Sequence, residues 1–306
     1  MKLQFNVTGK SQPDPFIFED NGKFYLYVTA KNGVEAYSAD HFTDVWKFEG
    51  IVCTIDGWYG YWAPSILRIE DTYYMYVSCQ NEQHFQHLHV ARADSPLGPF
   101  RDPKMLYDRF TIDSHVVQTE AGLFLWYAED NLTVEKFGTR IFLDRLIDPY
   151  TPANLRKEVL TPSFPEEMYE ANRNGDGRDW YTLEGPFWFA EGDWQYLMFS
   201  GGCFQNDTYH VGYAAANTTE PDLTKVNFVK HSENGSFAPV LIKNEFEEGT
   251  GHHSVLKWKG EYYAIYHGRD YVNETAKGYR EARTARICKL TVKDGLITAD
   301  PQRSIE

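Results

Sequence analysis

One phrase occurs five times along the chain, and it limits the possible folds more than any other feature. "DPFIFEDNGKFYLYVTA" from Asp14, "WAPSILRIEDTYYMYVSC" from Trp62, "DSHVVQTEAGLFLWYAED" from Asp113, "EGPFWFAEGDWQYLMFSGG" from Glu184 and "HHSVLKWKGEYYAIYHGR" from His252 share one grammar. Each opens on a polar or aromatic residue, runs through a short apolar strand, turns at an acidic or Gly-containing stretch and returns as an aromatic strand. The lead residue precedes a matching aromatic by 11 or 12 positions: Asp14 to Tyr25, Trp62 to Tyr74, Asp113 to Phe124, Glu184 to Tyr196, His252 to Tyr263. Apolar alternation on either side of such a turn is the signature of a β-hairpin, so five hairpins are expected. Strand-like pieces lie between them, among them "GVEAYSAD", "HLHVARAD", "YHVGYAAA" and "RTARICKLTV". Four strands per unit of about 60 residues predict an all-β chain, a single five-bladed β-propeller with four-stranded antiparallel blades around a central axis. That reading takes residues 1–306 as one domain. Radial repetition leaves few exposed sheet edges, and the N-terminal "KLQFNV" is a candidate to pair in the last blade.

A propeller gives the lead residues a common meaning, because the starts of its inner strands face the axis at one end. Asp14, Asp113, Glu184 and His252 would then converge, with Trp62 beside them. Taken singly, each acid has a plain alternative: Asp14 as a turn residue before proline, Asp113 as a local turn former, Glu184 as a solvated strand end. Their shared register argues against three coincidences. Aromatics make up 16% of the chain, enough to fill a β core and also to line a cup for a sugar. Carboxylates in such a cup suit acid/base work on a neutral polyhydroxylated substrate. Glycoside hydrolysis needs one carboxylic acid to protonate the leaving oxygen and one carboxylate to activate water or attack carbon. A third carboxylate nearby, with partial burial, raises the acid's pKa.

The formal net charge of −14 speaks against nucleic acid and against anionic membrane as partners. No run of about 18 apolar residues is present to span a bilayer, and "MKLQFNVTGK" lacks the apolar core of a signal peptide. These features lead us to expect a soluble, cytoplasmic protein, or a secreted one had a leader been removed. The four cysteines, Cys53, Cys79, Cys203 and Cys288, form no CxxC pair and read as reduced core thiols. Six N-x-S/T sequons, such as those at Asn6 and Asn234, would matter only in a secreted protein.

With these motifs in order, the whole chain resembles glycoside hydrolase family 43: an early Asp-Pro, "WAP" in the second unit, Asp at the third, "EGP" at the fourth and "GTGH" at the fifth. The resemblance implies an inverting enzyme acting on α-L-arabinofuranosides, β-D-xylosides and related plant oligosaccharides. It makes Asp14 the general base, Glu184 the general acid and Asp113 the residue that orients the acid and tunes its pKa. His252 falls where the family has an axial histidine that binds a cation, often calcium, directly or through water; a histidine satisfied by hydrogen bonds is the alternative. Trp62 looks like a wall of the sugar subsite, with packing between blades as the alternative. Arg283 approximately matches a family arginine that contacts substrate or carboxylates, and Arg280 and Arg286 compete for that role.

Two motifs point elsewhere. "FRDP", Phe100 to Pro103, copies a signature of the retaining fructosyl hydrolases related to invertase, whose other marks are absent. "NRNGDGRD", from Asn172, resembles part of a calcium loop without its first Asp, and reads as a surface loop that could wall the cleft. The expected function is an exo-acting glycosidase on short arabinose- or xylose-containing oligosaccharides; a noncatalytic sugar-binding propeller and an invertase-like enzyme are the alternatives. Oligomeric state is not encoded in any motif.

Overall fold

The structure is a computed structural model that describes residues 1–271 and 282–301. It is all-β, a succession of antiparallel meanders. The first comprises β1 (Phe16–Asp20), β2 (Lys23–Val28), β3 (Val34–Ala39) and β4 (Lys47–Cys53), paired in that order. The second comprises β5 (Tyr59–Ile69), β6 (Thr72–Gln80), β7 (Gln86–Ala93) and β8 (Arg101–Met105). The third runs through β9 (Ile112–Thr119), β10 (Gly122–Asn131) and β11 (Gly138–Asp148), and its outer edge is finished by two short strands on β11, β12 (Thr151–Pro152) and β13 (Lys157–Leu160). After β14 (Met168–Glu170), which pairs with the head of the next strand, the fourth follows as β15 (Trp180–Glu191), β16 (Trp194–Gly201), β17 (His210–Asn217) and β18 (Val229–Lys230). A ribbon of β19 (Ser232–Glu233) and β20 (Ser236–Phe237) leads to the last meander, β21 (Glu247–Trp258), β22 (Glu261–Asp270), β23 (Thr284–Lys293) and β24 (Leu296–Asp300).

The repeated phrase is the opening hairpin of every meander. In the first, Asn21 and Gly22 both take positive φ, 53° and 80°, the backbone of a tight hairpin turn whose twist matches its strands. The second strand of each hairpin is buried on both faces, which explains why "KFYLYV" and its counterparts are aromatic throughout and do not alternate with polar residues. One departure from separate four-stranded units is evident. The third and fourth meanders share a ten-stranded sheet, because the start of β11 pairs in parallel with the head of β15, Gly138 opposite Tyr181 and Thr139 opposite Thr182. Glycine permits that approach: a Cβ on Gly138 would sit 2.1 Å from the Tyr181 carbonyl oxygen.

Five apolar clusters fill the spaces between consecutive meanders. Tyr27, Ile66 and Met75 join the first to the second, and Tyr76, Leu125 and Phe142 the second to the third. Trp126, Leu197 and Phe199 join the third to the fourth, and Met198, Tyr262 and Tyr266 the fourth to the fifth. The remaining cluster joins the last meander to the first through Leu26, Trp46, Tyr263 and Ile287. Burying each such side chain contributes about 1.5–3 kcal/mol, so every junction is held by apolar area. The N-terminal segment ties the same junction from outside. Leu3 N–H donates to the Ala285 carbonyl at 3.0 Å and Ile287 N–H to the Met1 carbonyl at 2.8 Å, on the last meander. Trp46 N–H donates to the Gln4 carbonyl at 2.8 Å, on the first. "KLQFNV" therefore does pair with the last meander, and it bridges to the first as well.

Candidate active site

Each opening strand has one residue in the left-handed region, just before it at Asp14 (φ 52°) and within it at Ala63 (46°), Asp113 (59°), Gly185 (57°) and His252 (45°). Non-glycine residues are uncommon there, and the sharp bend turns the chain into the sheet. Trp62 and Glu184 each stand one position before the bend, so the lead residues of the repeated phrase fall on two neighbouring positions. Polar side chains from the ends of the second strands fasten these bends. Thr29 Oγ1 accepts from Ala63 N–H at 2.8 Å, Ser200 Oγ from His252 N–H at 2.8 Å and His267 Nδ1 from Asp14 N–H at 3.1 Å. Ser78 Oγ donates to the Trp62 carbonyl at 3.2 Å. Every buried N–H served in this way avoids the cost of an unmade hydrogen bond.

Asp14, Asp113, Glu184, Trp62, His252 and Arg283 all line one cleft of about 750 Å³. Asp14 is buried and crowded with positive and donor groups. An Arg283 guanidinium nitrogen donates to its Oδ1 at 3.2 Å, Thr29 Oγ1 donates to Oδ2 at 2.5 Å, and His252 Nδ1 and His267 Nδ1 lie 3.5 and 3.2 Å from Oδ1. Burial pushes this carboxyl up, but the Arg283 guanidinium, with help from the two imidazoles, outweighs it and holds Asp14 well below the usual carboxylate range. Glu184 has the opposite setting. Burial raises it to about 7, with the nearby Asp14 charge adding to the rise and a hydrogen bond from Tyr209, 2.6 Å from hydroxyl to Oε1, opposing it. Asp113 is also raised well above its ordinary value, by burial first and then by the charges of Glu184 and Asp14, although Gly185 N–H donates to its Oδ2 at 3.0 Å. One cleft thus holds a carboxylate kept ionised and a carboxyl kept protonated near neutrality, the division of labour that acid/base chemistry requires.

Trp62 is 40% exposed, a large ring open to the cleft. Arg283 is nearly buried, with its guanidinium over the Phe204 ring at 4.9 Å. Arg286 is turned elsewhere, pairing with Glu247 at 3.1 Å and Asp270 at 2.6 Å, and Arg280 lies outside the described residues. In the "FRDP" stretch Phe100 is buried in the core between the first and second meanders, Arg101 to Pro103 lie on the exposed outer edge strand β8 with Asp102 paired to Arg92, and none of the four lines the cleft. The loop after Asn172 is an exposed turn held by its own bonds, Gly177 N–H to Asn172 Oδ1 at 2.6 Å and Arg178 on Asp176, and none of its residues lines the cleft. All four cysteines are buried and unpaired.

Thr29, Tyr209 and His267 are site residues that the lead positions did not reveal. A signal for two of them was present. Thr29, Ser78, Ser200 and His267 stand four positions after the matching aromatic in four of the phrases, and Glu129 stands five after Phe124 in the remaining one, a polar residue closing an apolar run each time. Tyr209, on the segment before β17, has no counterpart in the phrase.

Ligand atoms of Asp113, Glu184 and His252 lie within 4.8 Å of one another. Calcium takes six to eight oxygen ligands, more than the two carboxyl groups and one imidazole of this donor set offer. The residues therefore fit a cation only if it keeps most of its water shell, with His252 as the group that holds it.

A model of the family "Glycosyl hydrolases family 43" matches residues 5–297. A probable arabinan endo-1,5-alpha-L-arabinosidase C of Aspergillus clavatus is 24% identical over 275 residues, covering 83% of this chain and 81% of its own length. The xylosidase/arabinosidase 43A of Humicola insolens is 23% identical over 268 residues, 79% of this chain and 75% of its own. Among solved structures, a thermostable family-43 glycoside hydrolase superposes with a TM-score of 0.80 at 24% identity, over 98% of this chain and 97% of that one. With the family match spanning the fold and the cleft alike, the chain belongs to the glycosyl hydrolases of family 43 and is a glycosidase built on a β-propeller.

Proposed function

We propose that the protein is an inverting, exo-acting glycosidase that removes terminal α-L-arabinofuranosyl or β-D-xylosyl units from short plant-derived oligosaccharides. We take residues 1–306 as a single five-bladed propeller, a reading supported by five meanders with an apolar cluster at each junction, the last meeting the first. The observation that carries the chemistry is the opposed setting of two carboxyl groups in one cleft: Asp14 against a guanidinium and two imidazoles, Glu184 against a phenol and a low-dielectric wall.

In this mechanism Asp14 takes a proton from a water molecule as the water attacks the anomeric carbon. Glu184 gives its proton to the departing glycosidic oxygen, so the bond breaks without expelling an alkoxide. Asp14 ends protonated and Glu184 ionised, and exchange with solvent resets both. Asp113 orients the acid, its Oδ2 accepting from the N–H of Gly185 next to Glu184, and tunes it as one of two buried carboxyls side by side, where a charge on either keeps the proton on the other. Trp62 offers a flat ring to the apolar face of the sugar, and Arg283 keeps Asp14 ionised while reaching the substrate side. A cation held by His252, calcium or another, would supply positive charge near Asp14 and Asp113 and favour their ionised forms.

The cleft volume of about 750 Å³ falls in the range that encloses a small ligand, which supports short oligosaccharides and terminal cleavage. The arabinan- and xyloside-directed names of the relatives support the choice of sugars. Four buried thiols with no disulfide among them support a cytoplasmic setting. The test is hydrolysis of paired chromogenic substrates, an α-L-arabinofuranoside and a β-D-xylopyranoside, by the wild type and by Glu184→Gln and Asp14→Asn. Release from one substrate, with kcat reduced at least about 100-fold in both folded variants, is the expected result; undiminished release by either variant would remove that residue from its role.

A further inference from the structure

Tyr209 has no place in the mechanism above, yet it is fully buried and its hydroxyl donates to Glu184 Oε1 at 2.6 Å. Three features hold its ring in place. It stacks on His267, with centroids 5.5 Å apart and planes 11° from parallel. His267 is in turn fixed by the Asp14 N–H. On the adjacent strand Gly251, paired in register with His267, leaves room for the ring: a Cβ there would stand 2.1 Å from Tyr209 Cε1. Gly251 lies outside the left-handed region, so its lack of a side chain serves this contact and not a backbone bend. The neighbouring glycine of the same "GTGH" motif works in parallel. A Cβ on Gly249 would meet the guanidinium of Arg269, whose nitrogens donate to the Phe204 and Asn206 carbonyls at 2.8 and 2.7 Å and pin the loop that leads to Tyr209.

We propose that Tyr209 is a positioning residue for the proton donor: its hydroxyl holds Glu184 Oε1, so that the transferable proton is carried on Oε2. A carboxylic acid can bear its proton on either oxygen. An oxygen that already accepts from a phenol is the poorer place for it, and the fixed contact also stops the carboxyl from swinging away from the glycosidic oxygen. Gly251 is the clearance that lets the phenol reach. The inference rests on Glu184 as general acid, and it adds that the acid works from one oxygen in one orientation.

The test is a leaving-group series. Aryl glycosides whose phenols range from strongly to weakly acidic need progressively more help from the acid, so loss of correct proton delivery shows as a steeper fall of kcat along the series. Tyr209→Phe keeps the ring and its stacking and removes only the hydroxyl. Expected is a kcat lowered about 10- to 100-fold on the poorest leaving groups, less than about 3-fold on a dinitrophenyl glycoside, and a KM within about 2-fold of wild type. Gly251→Ala, which displaces the ring, should steepen the same plot. A fall of equal size across the series, or no fall in a folded Tyr209→Phe protein, would overturn the proposal by leaving Tyr209 a packing role only. Glu184→Gln measured alongside separates the two layers. If that variant shows no leaving-group dependence beyond wild type, the acid assignment fails; if it does and Tyr209→Phe does not, only the positioning role fails.

Discussion

Asp14 and Glu184 differ by one methylene, yet the protein drives their protonation in opposite directions, and the pH dependence of activity should display the difference. In the proposed mechanism the acid must be protonated, so kcat/KM is expected to fall as pH rises through about 7, the value to which burial lifts Glu184. The base must be ionised, so the acidic limb should appear only well below the usual carboxylate range, where Asp14 takes up its proton. Arg283→Gln removes the guanidinium that holds Asp14 down. The acidic limb should then move to higher pH, and the alkaline limb should move less, because Arg283 touches Asp14 and reaches Glu184 only through longer-range charge. A pH profile of kcat/KM for both proteins checks this, and an unmoved acidic limb would detach Arg283 from the base. At this scale the lead residues were legible because repetition exposed them. His267 shared a polar register with Thr29 but its role was not readable, and Tyr209 left no signal, because each acts on a carboxylate from another part of the chain and that proximity exists only after the meanders come together.

The element that organises the site is the bend at the head of each opening strand. Five left-handed residues perform one backbone task with three kinds of side chain (Asp twice, Ala and His) and one glycine, so their local costs differ. Ala63 has a Cβ where its backbone prefers none. Ala63→Gly is expected to be neutral or to stabilise by up to about 1 kcal/mol, since relief of left-handed strain offsets the greater freedom of the unfolded chain. Gly185→Ala should destabilise by about 1–2 kcal/mol, because it introduces the same left-handed strain at φ 57°. Urea unfolding of the two variants measures both signs, and equal shifts in the same direction would contradict this view of the bends. The hairpins were readable from alternation and turn chemistry. The joined sheet of the third and fourth meanders was not, because it depends on two parallel pairs that no local pattern announces.

For the molecule as a whole, the weak point of a ring is the place where the chain must close on itself. Here the closing junction carries an apolar cluster, the Ser254 hydroxyl donating to the Pro15 carbonyl at 2.9 Å, and the N-terminal strap. Removing residues 1–6 deletes hydrogen bonds to both the first and the last meander and exposes the pocket of the buried Leu3. With about 1 kcal/mol for each net hydrogen bond and about 2 for the leucine, the loss is on the order of 5 kcal/mol, a fall in Tm of roughly 10 °C. Calorimetry of the truncated chain tests it, and an unchanged Tm would mean that the apolar cluster alone closes the ring. Repeat number and chain order suggested a closed arrangement from the sequence; the double attachment of the strap did not follow from its composition, since "KLQFNV" reads as an ordinary edge strand.

The central claim is that an ionised Asp14 activates water while a protonated Glu184 releases the leaving group, in a single displacement. Proton NMR of the anomeric signal in the first minutes of hydrolysis by the wild type tests it most directly. The account predicts that the sugar appears first with its anomeric configuration inverted and then mutarotates; first appearance of the retained anomer would contradict it and make one of these carboxylates a nucleophile.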